Sequence, residues 1–133
     1  MKLVKALQLS ALLCCLLVLP LAAQATTYLV QQVVSTFDPQ EVTIAVGDSV
    51  RWQWNDGIHT VTSGTGPSDP SAGSLFDVPL DSTHLYLIHR FLQIGDVPYF
   101  CRYDFELGMT GFIHVRHAAP VEASTWGSVK NLY

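Results

Sequence analysis

The sequence predicts an all-β protein, folded as a Greek-key β-sandwich behind an N-terminal signal peptide. Short stretches of apolar residues alternate with polar ones, helical periodicity is nearly absent, and Gly, Pro and Asp residues separate the stretches. The chain has 133 residues, of which 49% are hydrophobic and 14% charged, which suits a single domain. Several short strands separated by turns are typical of a β-sandwich at this length.

The first 25 residues have the composition of a secretory signal peptide. Lys2 and Lys5 precede an apolar run from Ala11 to Leu19, and an Ala-Gln-Ala motif ends at Ala25. A membrane anchor is the alternative, but the run is about half of the roughly 20 residues that a spanning helix needs. We therefore expect cleavage after Ala25, a secreted or periplasmic protein, and no membrane span in the mature chain.

Charge and cysteine content restrict the function of the mature chain. Without its first 25 residues the protein has five basic and eleven acidic residues, a formal charge of −6. Nucleic acids and anionic membranes select basic patches, so neither is an expected partner. Cys14 and Cys15 leave with the signal peptide, and Cys101 then has no cysteine to pair with. An unpaired thiol in an exported protein commonly binds a metal.

Alternation places strands in a domain predicted to span residues 26–117. The expected strands cover 42–46, 50–54, 85–91, 97–101 and 112–116, with a loop over 63–74 and turns at 47–48, 55–57 and 95–96. Trp52 and Trp54 are expected in the core. Residues 118–133 are predicted to be a linker and a short tail, in which Thr125 could cap a helix from 126 to 133. That tail is interpreted either as a docking tag or as a frayed terminus.

Three side chains carry soft donor atoms that suit copper. Cys101 and Met109 lie eight residues apart on a predicted loop between strands. His59 lies in the segment Gly57–Val61, directly after the strand that contains Trp52 and Trp54. Imidazole, thiolate and thioether together favour copper and stabilise Cu(I) better than oxygen ligands do.

An ordered set of motifs spans roughly residues 33 to 116. The set consists of Phe37-x-Pro39, Val42-Thr43-Ile44, Gly47-Asp48-x-Val50-x-Trp52, His59-Thr60-Val61, Gly95-x-x-x-Tyr99-x-Cys101 and Gly108-Met109-x-Gly111-x-Ile113-x-Val115.

In this order the motifs resemble those of the cupredoxins, and most closely the plastocyanin- and pseudoazurin-like branch. The resemblance implies a copper ion near one end of the sandwich, with His59, Cys101 and Met109 as ligands and Met109 as the weak axial one. It also implies a hydrogen bond from the Thr60 backbone N–H to the Cys101 sulfur. Thr60 and Arg102 are expected to connect the two ligand loops.

Asp104 departs from the cupredoxin pattern, which has histidine three residues after the cysteine. A direct Asp104 ligand would be harder than imidazole, would favour Cu(II) and would lower the reduction potential. Alternatively, Asp104 stays off the metal and leaves a position open to water or a small molecule, or the site is degenerate and the domain serves as a scaffold. Zinc also suits His, Cys and Asp ligands, but it gives no role to Met109.

Other candidate ligands are interpreted mainly as ordinary surface or strand residues. Glu106 is a reserve carboxylate ligand. Phe105 and Leu107 are expected either to form an apolar docking surface at the copper end or to pack within the loop. The remaining histidines are expected on strands or in solvent: His84, His89, His114 and His117.

The function predicted from these features is that of a monomeric one-electron carrier with one copper ion, serving a redox partner protein. Such a carrier is not an enzyme. One alternative is an open copper site that binds or reacts with a small ligand, because an available coordination position distinguishes catalytic sites from closed ones. The other alternative is sequestration of copper.

Overall fold

The computed structural model describes residues 24–120, and this range folds into two layers of β-strands. The nine strands in it are β1 (Thr27–Val33), β2 (Thr36–Asp38), β3 (Glu41–Ala45), β4 (Ser49–Gln53), β5 (His59–Ser63), β6 (Asp77–Leu80), β7 (Tyr86–Arg90), β8 (Gly95–Phe100) and β9 (Thr110–Arg116). A 3₁₀ turn, Phe105–Leu107, lies between β8 and β9.

The strands form one four-stranded sheet and one five-stranded sheet. The first has the order β2-β1-β4-β7 and the second the order β3-β9-β8-β5-β6. The β1–β4 and β3–β9 pairs are parallel, and the other strand pairs are antiparallel. This arrangement confirms the predicted all-β Greek-key sandwich.

Inward-facing residues of both sheets form a single core. Val42 and Ile44 of β3 are buried, as are Val50 and Trp52 of β4, so the period-two pattern marks the inner face correctly. Trp52 is a core residue, as predicted. Trp54 follows β4, packs partly buried against the core, and donates its indole N–H to the Gly57 carbonyl at 3.1 Å.

Two local predictions are corrected at strand ends. The pattern of β3 predicts a third buried residue at Val46, but the strand ends at Ala45 and Val46 is exposed. Gly47, in the left-handed region at φ 98°, turns the chain there. Gly95 and Asp96, predicted as a turn, are instead the first residues of β8, where they pair with Val115 and His114.

Four strands were not predicted: β1, β2, β5 and β6. β5 has the polar sequence His-Thr-Val-Thr-Ser, yet all five residues are buried because β8 and β6 flank it within the sheet. β1 contains Gln32 at an inward position, which obscures its alternation. Composition alone does not show that these polar side chains have hydrogen-bond partners inside the protein.

The predicted signal peptide lies outside the described residues except for its last two, and the predicted helix 126–133 lies wholly outside them. Both stay predictions. Residues 118–120 follow β9 without regular secondary structure. Within residues 24–120, the structure contains no helix with the length and hydropathy needed to cross a membrane.

Gly111 is a position at which the packing of the two sheets can be tested. A Cβ at this residue would overlap the Tyr99 ring and lie 2.7 Å from the Gln40 carbonyl oxygen. We expect Gly111→Ala to lower the free energy of unfolding by about 1–3 kcal/mol, as overpacking does. Urea denaturation checks this. A Gly111→Ala variant that is as stable as the unmodified protein would contradict the packing argument.

Candidate metal centre

Three potential ligand atoms meet at one end of the sandwich. The His59 Nδ1 atom lies 3.2 Å from an Asp104 carboxylate oxygen and 3.8 Å from the Cys101 sulfur. All three ligand atoms lie within 4.8 Å of one another. These distances are short enough for one ion to contact all three atoms.

Strand pairing brings these residues together from distant parts of the chain. His59 is the first residue of β5 and Cys101 directly follows β8. The two strands are antiparallel, with Thr62 opposite Phe100, so the start of β5 lies beside the residues that directly follow β8. The position of His59 relative to Cys101 is therefore set by the sheet rather than by a free loop.

The loop from Cys101 to Met109 is closed by its own backbone hydrogen bonds. Cys101 N–H donates to the Met109 carbonyl at 3.0 Å, and Met109 N–H donates to the Asp104 carbonyl at 3.1 Å. Gly108, in the left-handed conformation at φ 85°, ends the 3₁₀ turn. The closed loop points the Asp104 side chain toward His59 and buries the Met109 side chain in the core together with Cys101. A Met109 ligand stays a prediction.

The three residues differ in exposure. Cys101 is completely buried, His59 is nearly so, and 20% of the Asp104 side chain is exposed. Within residues 24–120, Cys101 has no cysteine with which to form a disulfide. A buried thiol, an imidazole and a carboxylate in contact form a donor set that suits a borderline or soft transition metal, so the residues present fit copper and also fit zinc.

Hydrogen bonds hold the Cys101 sulfur and connect the two ligand loops. The Thr60 backbone N–H donates to the Cys101 sulfur at 3.5 Å, and the Arg102 backbone N–H donates to the Thr60 hydroxyl at 2.9 Å. These are the contacts that the resemblance implies. The Arg102 guanidinium also donates to Asp77 at 2.7 and 3.2 Å, and these bonds hold the pKa of Asp77 below its ordinary value. The loop that follows Cys101 is thereby fixed to β5 and β6.

Gln32 contacts the other side of the His59 ring and was missed by the sequence analysis. Its amide nitrogen lies 3.1 Å from His59 Nε2, and Gln32 is completely buried. The only signal in the sequence is a glutamine at an inward position of β1, a strand that the alternation did not predict. Gly57 closes the same side, since a Cβ there would lie 2.7 Å from His59 Nε2.

The cluster does not include the other histidines or Glu106. His84 bonds to Asp81 and is exposed, and Glu106 and His117 are also exposed. His89 is half-buried against two phenylalanine rings, and its burial lowers its pKa.

His114 lies on the outer face of β9, as predicted. Asp96 accepts a hydrogen bond from its ring at 2.8 Å and raises its pKa, and Glu41 lies 3.3 Å from its other nitrogen. This histidine belongs to a surface ion-pair network away from the candidate centre.

The two residues of the expected apolar docking surface behave differently. Phe105 is half-buried, with its ring 5.5 Å from the ring of Phe100, and it approaches the Gly66 backbone. Leu107 is 72% exposed. Phe105 therefore packs against the end of β8 and the loop at Gly66, and Leu107 remains on the surface.

Comparison with known proteins shows similarity in structure. No family model matches the chain, and no curated protein matches its sequence. A purple cupredoxin from Nitrosopumilus maritimus has a TM-score of 0.54 and 21% identity, over 67% of this chain and 99% of that one. Oxidised plastocyanin from Dryopteris crassirhizoma has a TM-score of 0.53 and 15% identity, over 66% and 99%. A reduced mutant of amicyanin has a TM-score of 0.54 and 19% identity, over 71% and 87%.

These similarities establish that the chain has the cupredoxin fold. Within that fold, the cluster of His59, Cys101 and Asp104 fits a variant of the metal site that the resemblance implied, with a carboxylate where histidine is usual.

Gly57 tests whether the backbone over His59 positions the ring. Gly57 has φ 71°, and an alanine there would be strained by roughly 1–2 kcal/mol and would also press on His59 Nε2. We expect Gly57→Ala to lower stability and to weaken Cu(II) binding. Gly47→Ala is the matched control, because its φ is 98° and its nearest neighbour is an Arg90 side-chain nitrogen at 3.8 Å. Urea denaturation and Cu(II) titration check both variants, and equally weakened Cu(II) binding in both would contradict this role for Gly57.

Proposed function

We propose that the protein binds one copper ion through His59, Cys101, Asp104 and Met109 and carries single electrons for a partner protein. The observation that supports this most is the convergence of the first three ligand atoms within 4.8 Å. Copper would supply a one-electron couple, Cu(I)/Cu(II), in a site made of soft donors. Met109, buried beside Cys101, favours copper over zinc because zinc is bound by cysteine, histidine and carboxylate ligands and not by thioethers.

The surroundings of the cluster suit electron transfer without bond chemistry. Thr60 N–H partly neutralises the Cys101 sulfur, and the loop bonds keep Cys101, Asp104 and Met109 at fixed spacing. Fixed ligands need little rearrangement when the ion changes its charge. The protein is thus proposed to act as a carrier and not as an enzyme.

Asp104 is proposed as the second fixed ligand besides His59. Its carboxylate already lies in the cluster, and its negative charge adds to that of a Cys101 thiolate. Two anions neutralise Cu(II) and leave a net negative charge on Cu(I), so the oxidised state is favoured. The reduction potential is therefore expected to be lower than it would be with histidine at this position.

The partner is proposed to dock at the end of the sandwich that holds the cluster. Three large apolar side chains lie within two residues of its ligands in sequence and are mostly exposed: Ile58, Tyr103 and Leu107. Clustered apolar surface marks protein-binding sites. We also propose that the protein is a monomer. An exported location, inferred from the sequence of residues 1–25, is part of the same proposal.

An open copper site that reacts with a small ligand is the second candidate function. It is supported by the partial exposure of Asp104, since release of this carboxylate would open a coordination position to solvent. Azide separates the two functions: the spectrum of the Cu(II) protein should be unchanged by azide if it is a carrier and altered if the site is open.

Copper ligation by Cys101 predicts a visible spectrum. The Cu(II) protein should show an intense thiolate-to-copper absorption band, and Cys101→Ser should abolish it because a hydroxyl cannot replace the thiolate donor. Absorption spectroscopy together with measurement of bound copper checks this. A colourless, copper-loaded protein whose Cys101 still reacts with thiol reagents would refute the proposal.

Ligation by Asp104 predicts a shift of potential when the carboxylate is removed. Asp104→His should raise the reduction potential and give a more ordinary blue spectrum, because a neutral, softer ligand favours Cu(I). Glu106→His is the matched control, since it makes the same change of charge at an exposed residue outside the cluster. Voltammetry and absorption spectra check both variants. Unchanged values in Asp104→His would show that Asp104 neither binds nor tunes the metal.

A further inference from the structure

Gln32 forms an unusually complete set of hydrogen bonds behind His59. Its amide oxygen accepts from the backbone N–H groups of Asn55 at 3.0 Å and Asp56 at 3.1 Å. Its backbone carbonyl accepts from the Asn55 side-chain amide at 2.6 Å. The buried glutamine thus fixes the loop that follows β4 to β1, and that loop leads directly to His59.

These bonds determine the orientation of the Gln32 amide. Backbone N–H groups can only donate, so the Gln32 atom that faces Asn55 and Asp56 must be the oxygen. The amide –NH₂ therefore points the other way. It lies 2.6 Å from the Val34 carbonyl, 3.0 Å from an Asp56 carboxylate oxygen and 3.1 Å from His59 Nε2.

The orientation of the amide in turn determines which ring nitrogen of neutral His59 carries the proton. An amide nitrogen carries two hydrogens and has no lone pair that can accept a hydrogen bond. This holds whichever of the three neighbouring atoms receive its two hydrogens. A neutral His59 with its proton on Nε2 would place two donors against each other in a buried site. The favoured tautomer therefore carries the proton on Nδ1, which points toward Asp104 and Cys101.

Metal binding needs the opposite tautomer. A metal ion occupies the lone pair of Nδ1, and the neutral imidazole then carries its proton on Nε2. Metal-binding histidines usually donate that proton to a carboxylate or a carbonyl, which strengthens the metal bond. Here Nε2 faces the Gln32 –NH₂, which can accept nothing.

We infer that Gln32 is a positioning residue that stabilises the metal-free tautomer of His59 and thereby weakens metal binding at this site. Uptake of a metal requires the Gln32 amide to turn away from His59 or to give up its bonds to Asn55 and Asp56. The inference rests on the proposed function insofar as it takes Nδ1 as the metal-binding atom.

A second feature indicates that the Gln32 arrangement is maintained at some cost. Val34, whose carbonyl accepts from the Gln32 amide, has φ 52° in the left-handed region. A β-branched residue is strained there, and such strain persists only where the surroundings enforce it.

Gln32→Glu reverses the hydrogen-bonding character that faces His59. One carboxylate oxygen can still accept from Asn55 and Asp56, while the other accepts a hydrogen bond from His59 Nε2–H, which leaves the Nδ1 lone pair free. We expect Cu(I) and Zn(II) to bind about tenfold or more tightly in this variant, measured by competition with a chromogenic chelator. Gln32→Leu, which neither donates nor accepts, should give intermediate affinities.

The carboxylate introduced by Gln32→Glu faces both the Asp56 carboxylate and the Val34 carbonyl oxygen, and it is repelled by both because it cannot donate to them. The double variant Gln32→Glu, Asp56→Asn removes the repulsion between the two carboxylates, and urea denaturation checks that it is folded. If Gln32 merely supports the fold around His59, every substitution should weaken Zn(II) and Cu(I) binding. Weaker binding in the folded double variant would therefore overturn the inference.

A measurement without metal tests the tautomer itself. Nitrogen-15 chemical shifts of His59 in metal-free protein, in mildly alkaline buffer, should show the proton on Nδ1 in the unmodified protein and on Nε2 in Gln32→Glu. A proton on Nε2 in the unmodified protein would overturn the inference. Because no metal is involved, this result stands even if the protein binds no copper and the proposed function fails.

Discussion

The antiparallel pairing of β5 with β8 is the constraint on which the site depends. It places His59 beside Cys101 although the two are 42 positions apart in sequence, and it directs the Thr60 N–H at the sulfur. Both are interior strands of the five-stranded sheet, and β5 and the end of β8 are buried, so core packing stabilises this geometry. Asp104 is held less firmly, by the short loop that closes on Met109. The site thus combines two rigid donors with one partly exposed carboxylate.

The two sides of His59 have different chemical roles. Nδ1 faces the thiol and the carboxylate, and a cation is favourable at that position. Nε2 faces the Gln32 amide –NH₂, and a proton on Nε2 is unfavourable there. At such a site the Cys101 and Asp104 side chains favour a metal ion, while the Gln32 amide disfavours the His59 tautomer that binds it. A moderate affinity would distinguish it from a site built to retain copper under all conditions.

Much of the fold follows from period-two alternation, which marks β3, β4 and β9 because their inner residues are apolar. It fails for β1, which has Gln32 at an inward position, and for β5, in which three buried polar side chains have hydrogen-bond partners elsewhere in the fold. Motif order identified His59, Cys101 and Asp104 as candidates, and the structure brings them together. Gln32 could not be found in this way, because its role depends on a long-range contact across 27 residues.

X-ray absorption at the copper edge tests the central claim most directly. In the copper-loaded protein we expect a single short copper–sulfur distance and the scattering of one imidazole ring, with a second imidazole ring appearing in Asp104→His. A spectrum containing only nitrogen and oxygen donors would contradict this claim, because Cys101 would then not bind the ion that His59 and Asp104 share.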